Sequence, residues 1–271
     1  MKHPNFIIGG SGAAGTSYLS AVLAFHPDIY LPKIQRPEPN FFHYSWKYNE
    51  GIDWYLQTWF HEVENEIAIG ERSSHYLASE VAPSRIKQFF PHIKLIFCLR
   101  NPLERAWGNY RFTALEGHEP LSFIDALEQE EERMKKAQGK WAEIQPHNYI
   151  ERGKYYKYLV EYIRIFGREN IFMIKTEEMS KNPQETIQKV CAFLGVDTYV
   201  TLPQPPVYTS PSVVDLSVQV ALLDYFGERF SEFVECIRKE EDISNLITKP
   251  EDAEKISILR ANMLDKKNPM S

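Results

Sequence analysis

Short apolar runs alternate along this chain with longer amphipathic segments, and that rhythm limits the available folds more than any other feature. Residues 5–10 (NFIIGG) and the runs EIAIGE, IKLIFCLR and NIFMIK each read as a short buried strand bounded by polar residues. Helical periodicity fills the intervals at 16–25, 80–90, 102–115, 122–136, 155–166 and 184–194. Strands separated by helices pair in parallel and need cover on both faces, so the expected class is α/β, with a central parallel sheet flanked by helices. Right-handed crossovers then bring the strand C-termini to one edge, where ligands usually bind. With 271 residues, the expectation is one domain spanning 1–271.

Two segments interrupt the rhythm. Residues 30–53 are rich in proline, aromatic and polar side chains and are expected to form an irregular loop across the mouth of the site. Residues 201–211 form a proline-rich connection, after which an amphipathic pattern resumes, and the charged tail 249–271 is expected to fray. A net charge of −6 argues against a nucleic-acid partner, which calls for a basic face. Cys98, Cys191 and Cys236 are too few and too scattered for a disulfide framework or a cysteine zinc site, and no metal is expected. EQEEER, at 128–133, reads as a solvated helix face. No run approaches the ~20 apolar residues of a membrane span, so a soluble, cytoplasmic protein without a membrane partner is the expectation. Oligomeric state is left open.

The first strand runs into FIIGGSGAAGTSYL, a glycine-rich turn followed by a helix. Unpaired N–H groups and the helix dipole make such a helix start an anion site, and Thr16 and Ser17 add hydroxyls beside the amides. The turn lacks the Gly-Lys-Ser/Thr of nucleotide triphosphatases, and no acidic residue follows at the distance a dinucleotide fold requires. By itself it is compatible with a purely structural turn.

The segments FIIGGSGAAGTSYLSAVLAFHPDI, EPNFF, GERSSHYL, IKLIFCLRNPLERAWGNYRF and RGKYYKYL, in that order, resemble the PAPS-dependent sulfotransferase family, most closely its heparan sulfate and related bacterial branch. The resemblance implies a P-loop-like fold that holds 3′-phosphoadenosine 5′-phosphosulfate (PAPS) at the strand ends and releases 3′-phosphoadenosine 5′-phosphate (PAP). It implies that Gly12, Ala13, Ala14, Gly15, Thr16 and Ser17 form the 5′-phosphosulfate loop. Arg100 would take the 3′-phosphate, with Gly108 where relatives often carry serine and Asn109 as a substitute donor. Arg152 would stand near the same phosphate, and Arg105 would brace the loop. Glu38, in RPEPNFF, matches the family's general base, with His43 and His75 as runners-up. The acceptor would be a hydroxyl or amine of a small molecule or carbohydrate. From the residues themselves, Tyr44, Trp46, Tyr48, Trp54, Tyr55 and Trp59 could form an aromatic wall for a ring or cationic acceptor, with core packing the alternative for at least half of them.

One departure stands out: Ala13 occupies the position where the family carries its loop lysine. Three readings follow. Another cation fills the space, with Arg72 of GERSSHYL the leading choice and Lys33, Arg36 or a histidine behind it. Alternatively the chain binds the nucleotide without turnover, or the loop serves a different phosphate ligand. A kinase-like phosphotransferase is disfavoured by the missing lysine and by the lack of a magnesium-binding acidic strand end.

Overall fold

The computed structural model describes residues 2–33 and 37–198. Arg36, Cys236, the 201–211 connection, the helical pattern beyond it and the charged tail lie outside the described residues. Five strands form one sheet: β1 Phe6–Gly10, β2 Ile29–Tyr30, β3 Ala68–Arg72, β4 Lys94–Leu99 and β5 Ile171–Lys175. Their order is β2-β3-β1-β4-β5, and every pairing is parallel. The four strands expected from the sequence are present, and the two-residue β2 joins them at the edge. A run that short leaves no period-2 signature to read.

The helices are α1 Thr16–Leu23, α2 Ser45–Tyr48, α3 Ile52–Trp59, α4 Ala82–Phe89, α5 Pro102–Leu115, α6 Phe123–Glu128, α7 Glu130–Lys136, α8 Lys140–Ile144, α9 Tyr155–Phe166, α10 Thr176–Lys181 and α11 Pro183–Leu194. Side chains of α1, α10 and α11 pack with Phe6, Ile8, Ile96 and Cys98 on one face of the sheet. Those of α3, α4 and α9 pack with Ile7, Leu95 and Phe97 on the other. Alternate residues of β1 and β4 thus point to opposite layers, as a sheet buried on both sides demands.

The sequence suggests one helix over 122–136, but the structure divides it at Gln129. The break turns Glu130 inward, where its carboxylate accepts from the backbone N–H groups of Tyr149, Ile150 and Glu151 at 2.9, 2.7 and 3.0 Å. EQEEER is therefore only partly a solvated face. Glu131 and Glu132 pair with Lys135 and Lys136 on the surface, whereas Glu130 is structural. Residues 30–53 are likewise less irregular than expected, since they contain α2 and the start of α3.

Candidate active site

Four strand ends meet at the edge that carries the site. β1 leads into the glycine turn, β3 into Ser73 and Ser74, β4 into Arg100 and β5 into Thr176. Gly10 has φ 133°, and a Cβ there would lie 2.7 Å from the Ser74 carbonyl, so only glycine lets β1 turn so close to its neighbour. The Thr176 hydroxyl donates to the carbonyl of Ala14 at 2.7 Å, with Leu99 carbonyl at 3.0 Å, tying the loop to β4 and β5. Among the described residues, the N–H groups of Gly12, Ala13, Gly15, Thr16 and Ser17 find no acceptor, while those of Ser11 and Ala14 do. Five free amides at the start of α1 form a cradle suited to a phosphate or sulfate group.

Two guanidinium groups flank the cradle. Arg100 donates from Nη1 to the Ala13 carbonyl at 3.3 Å and from Nε to Glu104 at 3.1 Å. Arg72, only 6% exposed, donates from Nη1 to Ser17 Oγ at 3.2 Å and to the Glu38 carboxylate. Glu38 is thereby joined to the phosphate-type loop through one cation. Its other carboxylate oxygen accepts from Ser74 N–H at 2.7 Å and from the Ser74 hydroxyl at 2.8 Å. Removing either member of a pair this buried leaves an uncompensated charge, a loss of about 3–5 kcal/mol.

The remaining expected residues divide between the site and its supports. Lys33 is exposed and pairs with Glu62 at 3.1 Å. His43 donates from Nε2 to the Glu143 carbonyl at 2.9 Å, and its buried Nδ1 has no partner among the described residues. Burial lowers His43 to about 4, so the ring is neutral at pH 7. His75 is also lowered by burial, and its Nδ1 lies 2.7 Å from the Tyr44 hydroxyl. Among the described residues, the hydrogen bonds of the two histidines run to the Glu143 carbonyl and the Tyr44 hydroxyl.

Arg152 donates from Nη2 to the Ile144 carbonyl at 2.7 Å, and among the described residues it makes no hydrogen bond to the glycine loop. Desolvation lowers its guanidinium to about 10, with Arg105 adding to the effect, and its charge is felt by Tyr44, His43 and His75. Arg105 does not brace the glycine loop: fully buried, it holds the Tyr149 carbonyl and Asn109. Asn109 turns its amide to Thr113 and to the Pro146 carbonyl, so it is not a ready substitute for a serine at 108. A Cβ on Gly108 would sit 3.2 Å from the Ala13 Cβ, which ties the two family departures to one contact. Of the expected aromatic wall, Tyr55 and Trp59 belong to the core, whereas Tyr44 and Trp46 stack at 4.3 Å, with Lys140 over the Trp46 ring.

Sequence reasoning overlooked Lys47 and Glu71. Lys47 donates to the carbonyls of Glu38 and Pro39 at 2.9 and 2.5 Å. Glu71 is fully buried in β3. The available signal was an acid within a run that reads as a buried strand, EIAIGE, one residue before Arg72, because carboxylates are almost never fully buried without partners.

The model of the sulfotransferase domain matches residues 3–206. The chain belongs to the sulfotransferase domain family. Within that family it is 28% identical over 198 residues to heparan sulfate glucosamine 3-O-sulfotransferase 3A1 of Mus musculus, a match covering 73% of this chain and 47% of the mouse protein. It is 25% identical over 209 residues to the bifunctional heparan sulfate N-deacetylase/N-sulfotransferase 2 of Homo sapiens, covering 73% of this chain and 22% of that protein. The chain thus aligns with less than half the length of either relative. A solved sulfotransferase from Alicyclobacillus acidocaldarius superposes with a TM-score of 0.72 at 28% identity, covering 88% of this chain and 97% of that one. The α/β fold, with its parallel sheet between helices, is therefore the sulfotransferase fold. Among the described residues no helix is long and apolar enough to cross a membrane.

Proposed function

We propose that this protein transfers a sulfuryl group from PAPS to a hydroxyl or amine of a small-molecule or carbohydrate acceptor. The observation that carries the proposal is the bridge made by Arg72, which joins Ser17 of the amide cradle to the carboxylate of Glu38. A site for in-line group transfer needs an anion holder, a cation at the developing charge and a base on the acceptor side. Those three functions stand next to one another along this bridge.

The residues present fit the donor. The amides of Gly12, Ala13, Gly15, Thr16 and Ser17 would hold its 5′-phosphosulfate, and Arg100 its 3′-phosphate, a group suited to a planar, permanently charged fork. When bound, the donor supplies the sulfuryl group and a phosphate leaving group. Arg72 offsets the negative charge that grows on the oxygen left behind, taking the part of the loop lysine that Ala13 lacks. Glu38 receives the acceptor proton as the acceptor oxygen or nitrogen bonds to sulfur. Arg152, on the side of Tyr44, His43 and His75, is assigned to the acceptor end of the site rather than to the 3′-phosphate. Cys98 and Cys191, both free and buried, accord with a cytoplasmic place of action.

The test is a pair of calorimetric titrations, with PAP and with adenosine 5′-monophosphate. Binding of PAP at least tenfold tighter is expected, and equal affinity would remove the donor assignment. Transfer of radiolabelled sulfate from PAPS to a panel of phenols, alcohols and amino sugars then tests turnover. Ala13 favours a second reading, a nucleotide-binding protein without turnover. Tight PAP binding with no labelled product across the panel would select it.

A further inference from the structure

The turn that carries Glu38 is held by a network the family resemblance did not anticipate. On one side, the Lys47 ammonium takes the carbonyls of Glu38 and Pro39. On the other, the Asn40 N–H donates to Ser73 Oγ at 2.7 Å and the Phe42 N–H donates to the Tyr76 hydroxyl at 3.3 Å. Both hydroxyls lead to one group. Ser73 donates to Glu71 Oε2 at 2.7 Å, and Tyr76 helps hold the same carboxylate. Tyr55 adds a third hydroxyl, 3.3 Å from Oε1. Asn40 itself sits at φ 44°, a left-handed conformation that needs its neighbours to hold it.

We propose that Glu71 is a positioning residue for Glu38, acting through the hydroxyl of Ser73, and secondarily of Tyr76, on the backbone of the turn that carries the base. An ionised carboxylate is an acceptor only, so it fixes which way a neighbouring hydroxyl points its proton. With its proton committed to Glu71, Ser73 Oγ offers only lone pairs to Asn40, and the N–H finds an acceptor of one sense. A hydroxyl without such a partner rotates, and the turn loses its fixed anchor. Lys47 then restrains the opposite edge of the same turn, so carbonyls and amides are both occupied while the Glu38 side chain is left to Arg72, Ser74 and the Asn40 side-chain amide, 3.4 Å from Oε2. The burial of an acid near the end of β3 is thereby explained: it organises the loop through the hydroxyls it holds.

Desolvation pushes Glu71 up to about 7, against the pull of its hydroxyl partners, with Lys47 and Glu38 the charged groups that interact with it. The experiment is therefore set at pH 8, where the acceptor-only form dominates. The inference rests on Glu38 being the base, and the readouts separate the two claims. Glu71→Gln introduces an amide that donates to Ser73 Oγ in competition with the Asn40 N–H, and Ser73→Ala removes the relay with less disturbance of the core. Hydrogen exchange of the Asn40 and Phe42 amides is followed alongside PAP affinity and labelled-sulfate transfer. In both variants the Asn40 amide is expected to exchange at least tenfold faster. Turnover is expected to fall at least tenfold, with PAP affinity and acceptor KM within twofold of wild type. Unchanged protection of Asn40 in Ser73→Ala would overturn the relay whatever happens to activity. Faster exchange with unchanged turnover would overturn the positioning role. Glu38→Gln with wild-type turnover would instead remove the base assignment and leave the exchange result standing.

Discussion

Acid should destabilise this protein through His43, and the size of the effect follows from its burial. In an unfolded chain an imidazole titrates near 6.5, whereas in the folded protein His43 is lowered to about 4, chiefly by desolvation. Between those values the unfolded state binds more protons, so stability that is complete above pH 6.5 is lost as the pH falls toward 4. Linkage gives a loss of about 2 kcal/mol at pH 5 and about 3 kcal/mol at pH 4 from this one group. His43→Gln removes the titration, and its amide can still donate to the Glu143 carbonyl that Nε2 now holds. Urea unfolding at pH 7.5 and pH 5, on wild type and variant, isolates the effect as a difference of differences. The variant should become more stable relative to wild type by about 2 kcal/mol at the lower pH, even though His75 continues to contribute in both proteins. If the two proteins lose the same stability on acidification, within about 0.5 kcal/mol, the neutral, desolvated His43 is refuted. The same variant bears on function: turnover at pH 7.5 close to wild type would agree with a bracing histidine, and a loss as large as that of Glu38→Gln would favour His43 as the base.

Other consequences concern the loop and the bridge. Glu38→Gln is expected to lower single-turnover sulfate transfer by a factor on the order of 10² or more while leaving PAP affinity within a few-fold, because the lost function is proton acceptance. Arg72→Ala should lower transfer by about 10²–10³, the usual effect of removing one preorganised donor; a normal rate would exclude Arg72 as the replacement cation. Gly10→Ala should cost roughly 1–3 kcal/mol in urea unfolding, since the new methyl meets the Ser74 carbonyl in a conformation side chains avoid, and wild-type stability would contradict the tight approach of β1 to Ser74.

The order of short apolar runs and amphipathic segments determined the parallel sheet, because periodicity is a local property that survives in one dimension. The glycine turn was legible for the same reason: a cluster of glycines permits the positive φ that Gly10 and Gly15 adopt. The family motifs likewise placed Glu38, Arg72 and Arg100 at the strand-end edge, and the structure brings Glu38 and Arg72 into one ion pair. What the sequence left open was which groups meet across it. Lys33 pairs with Glu62 at the surface, and Arg152, which the family resemblance reads as a phosphate ligand, has its charge felt by Tyr44 and the histidines. Glu130 looked solvated within an acidic run, and only the break at Gln129 sent it to three backbone amides. Glu71 and Lys47 carried no motif at all. Their roles depend on hydrogen bonds between residues up to 34 positions apart. Such contacts are fixed by three-dimensional packing, because desolvation and donor geometry exist only once the chain has closed around them.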